Sequence, residues 1–193
     1  FPAAILQPPY FDPEADDAVN YGAIGAIIGH EIGHALDDRG RQFDADGQLR
    51  DWWSTEDDAE YRRRTRVLVD QFDAYSPLEG TRVNGSLTLG ENFGDLGGLV
   101  IAYRAWKLSL GNRPAEVIDG YAGDQRFFIG WAQIWRTKER EEYLRQFLLS
   151  NAHAPSRFRA NGPISNMPEF YAAFDVQPGD RLFRSPERRA RIW

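Results

Sequence analysis

Cysteine is missing altogether from this 193-residue chain. That excludes a disulfide scaffold, a thiolate-held metal and a cysteine nucleophile, and leaves the cellular compartment open. Lysine is nearly missing, two residues against 21 arginines, a bias that carries no mechanistic weight. No apolar run approaches the roughly 18 residues of a membrane span. Positive charge is not in excess either. The net charge is -6, the wrong sign for a sequence-independent nucleic-acid binder. What is present suffices for a core: 42% hydrophobic and 13% aromatic residues argue against disorder despite 27% charged ones. The length suits one domain.

Residues 1–17 are rich in proline and then acidic, and hold no long helix. Phe1-Pro2-Ala3-Ala4-Ile5 has no Met, basic leader or signal peptide, so the chain reads as beginning mid-fold. The closing Trp193 is expected to pack. A helix is predicted from Asn20 to Asp38, with Ala23, Ile27, His30, His34 and Asp37 on one stripe. Gly25, Gly29 and Gly33 run down a neighbouring face, which points to a closely packed, buried helix. Asp44-Ala45-Asp46-Gly47 reads as an Asp-Gly turn rather than a calcium loop, because the later ligands are missing. Ser54 and Asp57 open a helix to about Asp73, whose Arg62–Arg66 run is a solvated face. Asn84-Gly85 between Thr81 and Thr88 predicts a short β-hairpin. Helices follow at 90–110, 124–137 and 139–150. After Pro155 the chain is expected to be irregular except near Pro168–Phe174.

The chemistry lies in His30-Glu31-Ile32-Gly33-His34. Residues four apart on a helix lie one turn up and about 40° round, so both imidazoles point at one place. Glu31 stands about 100° away, beside them. This is the pattern of two zinc ligands and a general-base glutamate. At this composition it arises by accident roughly 0.003 times per chain. Catalytic zinc takes a third protein ligand and leaves a place for water. Glu91, in Gly90-Glu91-Asn92-Phe93-Gly94-Asp95, is the best candidate. Asp95, four residues on, and Asp37, three after His34, are each placed to hold the outer nitrogen of a ligand histidine.

Taken together, Asn20-Tyr21-Gly22-Ala23-Ile24-Gly25, His30 to Asp38, Gly90 to Asp95, Gly123-Asp124-Gln125-Arg126-Phe127-Phe128 and the final Arg-Ile-Trp resemble the neprilysin / endothelin-converting-enzyme family (M13-type) of zinc peptidases. The 56 residues between His34 and Glu91 fit that family better than thermolysin-like or aminopeptidase-N-like enzymes. The resemblance implies a mainly α fold with a short hairpin. It would be the helical lobe of a zincin (gluzincin, thermolysin-like), the C-terminal portion of a catalytic domain, with the upstream edge strand and the helical lid outside residues 1–193. It implies one Zn2+ per chain on His30, His34 and Glu91, with Glu31 as base, Asp95 orienting His30 and Asp37 orienting His34.

It also implies that His153 stabilises an oxyanion and that Arg159 binds a substrate carbonyl. Tyr10, Ile27, Ile134 and Trp135 would form a pocket for a bulky apolar residue after the scissile bond. The sequence departs from the family pattern at Asn151, where an aspartate is usual, at Ala154 in place of serine, at Tyr10 in place of phenylalanine, and at Ala190, where animal members carry a cysteine. Asn151 gives His153 an amide where the family supplies a charge. Ala190 suggests a bacterial-type relative.

The expected partners are peptide substrates and the N-terminal remainder of the same protein, without nucleic acid. A periplasmic or secreted location is favoured over a cytoplasmic one. The competing readings are a catalytically impaired fragment that serves as a zinc-stabilised module binding peptides or a partner chain, and an exopeptidase. Retention of Glu31 speaks against the first, because a structural zinc site would be closed by a fourth ligand.

Overall fold

A computed structural model describes residues 2–192; Phe1 and Trp193, and with them the packing expected of Trp193, lie outside it. The described residues form eight α-helices: α1 Asp17–Asn20, α2 Ala26–Gly33, α3 Thr55–Asp73, α4 Leu89–Leu110, α5 Gly123–Ile134, α6 Glu141–Ser150, α7 Ser156–Ile164 and α8 Pro168–Phe174. A π-helical turn, Tyr21–Gly25, joins α1 to α2. Among the described residues β-pairing is limited to the isolated bridges Phe43–Leu49 and Ile118–Tyr121. None of these helices is long and apolar enough to cross a membrane.

The centre of the molecule is the crossing of α2 and α4. A Cβ on Gly29 would lie 2.8 Å from the Cα of Gly98, and one on Gly98 would lie 2.3 Å from the carbonyl of Ala26. Only two glycines let these backbones touch. Gly33 faces Gly94 across the same crossing. Gly25 does not take part: it sits against Tyr21 of its own turn. Around the crossing pack Phe93, Leu99 and Trp106 of α4, Phe127 and Trp131 of α5, and Leu68 and Phe72 of α3, all essentially without solvent exposure. Each such side chain contributes about 2 kcal/mol or more through apolar burial.

Several expected elements are where the sequence put them. Ser54 caps α3 by accepting from the Asp57 N–H at 3.0 Å. Arg62, Arg63 and Arg66 lie on the solvent side, paired with Asp58, Glu60 and Asp70. The Asp44–Gly47 turn closes with Asp44 Oδ1 accepting the N–H groups of Asp46 and Gln48.

Three expectations need correction. First, the β-hairpin at Thr81–Thr88 does not form. A two-residue hairpin needs positive φ at Asn84 and Gly85, and neither has it. Instead Asn84 Oδ1 accepts the Leu87 N–H and its carbonyl accepts the Thr88 N–H, a turn that leads into α4. Gly85 is needed for closeness, because a Cβ there would lie 2.2 Å from the Val69 carbonyl. Second, α2 stops at Gly33, not Asp38. Its last turn tightens through Ala35 N–H to the Ile32 carbonyl and Leu36 N–H to the Gly33 carbonyl. Third, Ser156–Ile164 is a helix, although Pro155, Gly162 and Pro163 read as breakers. Burial of Phe158, Arg159, Pro163 and Ile164 overrides the local propensity.

Candidate metal centre

His30 and His34 lie one turn apart, on the last turn of α2 and at its cap. Their ring centroids are 4.7 Å apart and the rings stand nearly perpendicular. Each ring is held from behind by a carboxylate. His30 Nδ1 meets Asp95 Oδ1 at 2.8 Å, and His34 Nδ1 meets Asp37 Oδ2 at 2.7 Å. Those acceptors draw a ring proton to each Nδ1, so Nε2 is the atom each ring can offer to an ion.

The two supports differ in construction. Asp95 is fully buried within α4, and Arg159 donates to it twice, through Nε at 2.8 Å and Nη2 at 2.7 Å. Asp37 lies beyond the end of α2. Its second oxygen accepts the backbone N–H groups of Arg39 and Gly40 at 2.8 and 2.7 Å.

Glu91, on the first turn of α4, closes the site from the other helix. Its Oε2 stands 3.2 Å from His30 Nε2 and 2.9 Å from His153 Nε2. That oxygen is nevertheless buried without a hydrogen bond. The reason is chemical. His30 gives its Nδ1 proton to Asp95, and a buried carboxylate oxygen set against imidazole Nε2 atoms is a seat for a cation, a proton in the metal-free site or a metal ion in the loaded one. The hard and borderline donor set, two imidazoles and one carboxylate, suits zinc.

The electrostatics agree. Burial opposes the charged form of His30, but contacts with the Asp95 and Glu91 carboxylates outweigh it and lift the group to about 9. Burial likewise opposes ionisation of Glu91, yet the His153 and His30 rings hold it well below the usual carboxylate range. Asp95 is also lowered: burial opposes its charge, and Arg159 and then His30 overcome that opposition. Without metal, the site therefore keeps a proton where a metal ion would supply the charge.

Glu31 is exposed, and one of its oxygens lies within 4.8 Å of ring nitrogens of both His30 and His34. His34 and Glu91 line a common cavity of about 140 Å³ with Asp37, Gly90 and Ala152. His153 is more open, its side chain 43% exposed. Asn151 Oδ1 accepts both the backbone N–H of His153, at 2.8 Å, and the ring Nδ1, at 3.0 Å. The backbone donor fixes which end of the amide is oxygen, and so fixes the ring proton on Nδ1.

Of the residues expected to touch substrate, Ile27 and Ile134 are buried and Tyr10 and Trp135 half-buried. The Arg159 guanidinium lies over the Trp135 ring at 4.2 Å. The Asp95–Arg159 pair is the feature sequence reading missed. Arg159 had been assigned to substrate alone, whereas two of its donors anchor the support of His30. A separation of 64 positions along the chain leaves no local signal for that contact.

Two helix-borne imidazoles, a carboxylate from a crossing helix and carboxylate supports behind the rings make up the donor chemistry of a metallopeptidase. Comparison with known proteins narrows the class: the pattern of peptidase family M13 matches residues 1–190, and the chain belongs to that family. Endothelin-converting enzyme 1 of Homo sapiens is 40% identical over 196 residues, and the match takes in all of this chain and 25% of that protein. Neprilysin-1 of Caenorhabditis elegans is 42% identical over 200 residues, covering 26% of its length. Among solved structures, a zinc metalloprotease of Mycobacterium tuberculosis in complex with inhibitor superposes with a TM-score of 0.97 at 55% identity, covering all of this chain and 30% of that one. The chain thus spans between a quarter and a third of the proteins it matches.

Proposed function

We propose that residues 1–193 are the C-terminal part of the catalytic domain of a zinc-dependent endopeptidase. It would cut oligopeptides on the amino side of bulky apolar residues. The observation that carries this reading is the approach of Glu91 to His30 across the helix crossing: a buried carboxylate oxygen 3.2 Å from His30 Nε2, with His34 one turn away. His30, His34 and Glu91 would hold one zinc ion, which when bound supplies a Lewis acid that acidifies a water and polarises a peptide carbonyl.

The side chains do the rest. Glu31 takes the proton from the attacking water and later hands it to the departing amine. His153, its ring held by Asn151, stabilises the oxyanion that develops on the carbonyl. Arg159, fixed by Asp95, binds a substrate carbonyl with the donors left over. Asp95 and Asp37 keep the ligand rings in the productive tautomer. Tyr10, Ile27, Ile134 and Trp135 receive the apolar side chain after the scissile bond. The remainder of the polypeptide supplies the surfaces that align the peptide's other side, and a periplasmic or secreted location goes with this reading.

The test is Glu31→Gln. It should keep one zinc per chain by metal analysis while hydrolysis of an end-blocked, internally quenched peptide falls about 10²–10⁴-fold. Cleavage by the glutamine variant at the unsubstituted rate would refute the assignment. Mass spectrometry of the products checks the apolar preference, and the blocked ends separate an endopeptidase from an exopeptidase.

A further inference from the structure

The loop that carries Asp37 has no helix to hold it. α2 has ended at Gly33, and only the short 3-10 turn Gly40–Gln42 follows. Yet the Asp37 carboxylate must sit within a few tenths of an ångström of one place to fix the His34 ring. Besides the Arg39 and Gly40 N–H groups that the Asp37 carboxylate accepts, Arg41 ties the loop to the rest of the molecule. Its backbone N–H donates to the Asp37 carbonyl at 3.1 Å, tying it directly to the supporting residue. Its carbonyl accepts the Trp52 indole N–H at 2.9 Å.

The Arg41 side chain reaches away from the metal centre to α3, where Nη2 pairs with Asp58. The guanidinium carbon lies 4.8 Å from the Trp53 ring centre and 4.6 Å from that of Tyr61. Nη1 is buried without a hydrogen-bond acceptor, so the two π-faces are its surroundings. A flat cation packed against two aromatic rings, themselves in edge-to-face contact at 5.5 Å, and paired with a carboxylate has few rotamers left. On the other side the support is Asp95, carried by the second turn of the 22-residue α4 and anchored there by Arg159.

We propose that Arg41 is a positioning residue of the metal centre: packed against Trp53 and Tyr61 and paired with Asp58, it fixes the Asp37 loop and thereby the His34 ring. This rests on the metallopeptidase reading and extends it to α3, which contributes no ligand. Loss of Arg41 should weaken zinc binding only through Asp37. Removing an outer-shell carboxylate lowers metal affinity by 10–100-fold. Loosening its mount should give about a tenfold loss, at the lower end of that range.

The experiment measures the zinc dissociation constant of the 193-residue chain by competition with a chromophoric chelator, for the unsubstituted chain, Arg41→Met, Asp37→Asn and the pair together. Arg41→Met leaves Asp58 paired with Arg62, so no buried charge is stranded. Expected are a roughly tenfold loss for Arg41→Met, a larger one for Asp37→Asn, and no further loss in the double variant, because the two act in series. Arg66→Met, on the solvent side of the same helix and paired with Asp70, should change nothing. Arg41→Lys keeps a charge for Asp58 without the flat stacking and should fall between, which covers the case where methionine is not tolerated. Losses that multiply in the double variant, or an Arg41→Met chain that binds zinc normally, overturn the inference alone. An unsubstituted chain that takes up no zinc overturns the metallopeptidase reading and this inference with it.

Discussion

Asp95→Asn is the substitution on which most of the site's physical logic can be weighed. The side chain is fully buried, accepts His30 Nδ1 at 2.8 Å and receives two bonds from Arg159. An amide of the same size keeps one acceptor and loses the charge. Arg159, itself buried, is then left with only the more distant Glu91 carboxylate, 3.9 Å from its Nη2, and breaking a buried ion pair from one side costs about 3–5 kcal/mol. The retained acceptor puts the expected cost at the low end, about 3 kcal/mol. For a chain of this size that lowers the melting temperature by about 6–12 °C. Separately, the His30 ring loses the partner that fixes its tautomer, and zinc affinity should drop 10–100-fold. The assays are thermal unfolding of the metal-free chain by circular dichroism and zinc titration against a chelator at neutral pH. A variant that melts within a degree of the parent and binds zinc within a factor of two would refute the reasoning, because neither the buried pair nor the carboxylate behind the ring would then matter.

The other predictions use the same geometry. His30 is raised from 6.5 to about 9 in the folded, metal-free chain. A raised group adds stability that is complete below the unfolded value and disappears as pH climbs through the folded one. The metal-free chain should therefore lose stability between about pH 6.5 and 9, by a few kcal/mol, in urea titrations at stepped pH. The zinc-bound chain should not follow that curve, and a flat profile for the metal-free form would contradict the site's electrostatics. Zinc uptake near neutral pH should release a proton from His30, visible as a dependence of the calorimetric heat on buffer ionisation. Gly98→Ala forces a Cβ to 2.3 Å from the Ala26 carbonyl. Pushing α2 off α4 should cost at least about 1–3 kcal/mol and weaken zinc binding as well, since the ligands sit on both helices. Unchanged melting would show that the helices are not pressed together there.

The residues of the centre were legible because their signals are local or nearly so. His30, Glu31 and His34 declare themselves by helical spacing, and Glu91 and Asp95 by a second short cluster. The spacing also led to the glycine-lined face, although Gly25 turned out to sit beside it rather than on it. Errors arose where tertiary packing overrode local preference. Asn84-Gly85 has the composition of a hairpin turn, yet the glycine is there to let the chain press on the Val69 carbonyl. Pro163 looks like a helix breaker, yet it closes α7 because Phe158 and Ile164 are buried on either side of it. The sequence reading ends α2 five residues late because the helical spacing continues through His34 and Asp37 while the backbone has already tightened. Contacts such as Asp95 with Arg159, or Arg41 with Trp53 and Tyr61, join distant segments and leave no mark on a single sequence.

The touching backbones of α2 and α4 bear on how a metal ion would meet the proposed centre. With no side-chain layer between the helices, one cannot slide or roll without the other, so His30, His34 and Glu91 arrive together when the domain folds. An incoming ion therefore finds its donors assembled rather than having to gather them. It follows that release of the ion from the imidazoles and escape of the two helices from each other are separate events, and a chelator should be able to empty the site while the helical body stays whole.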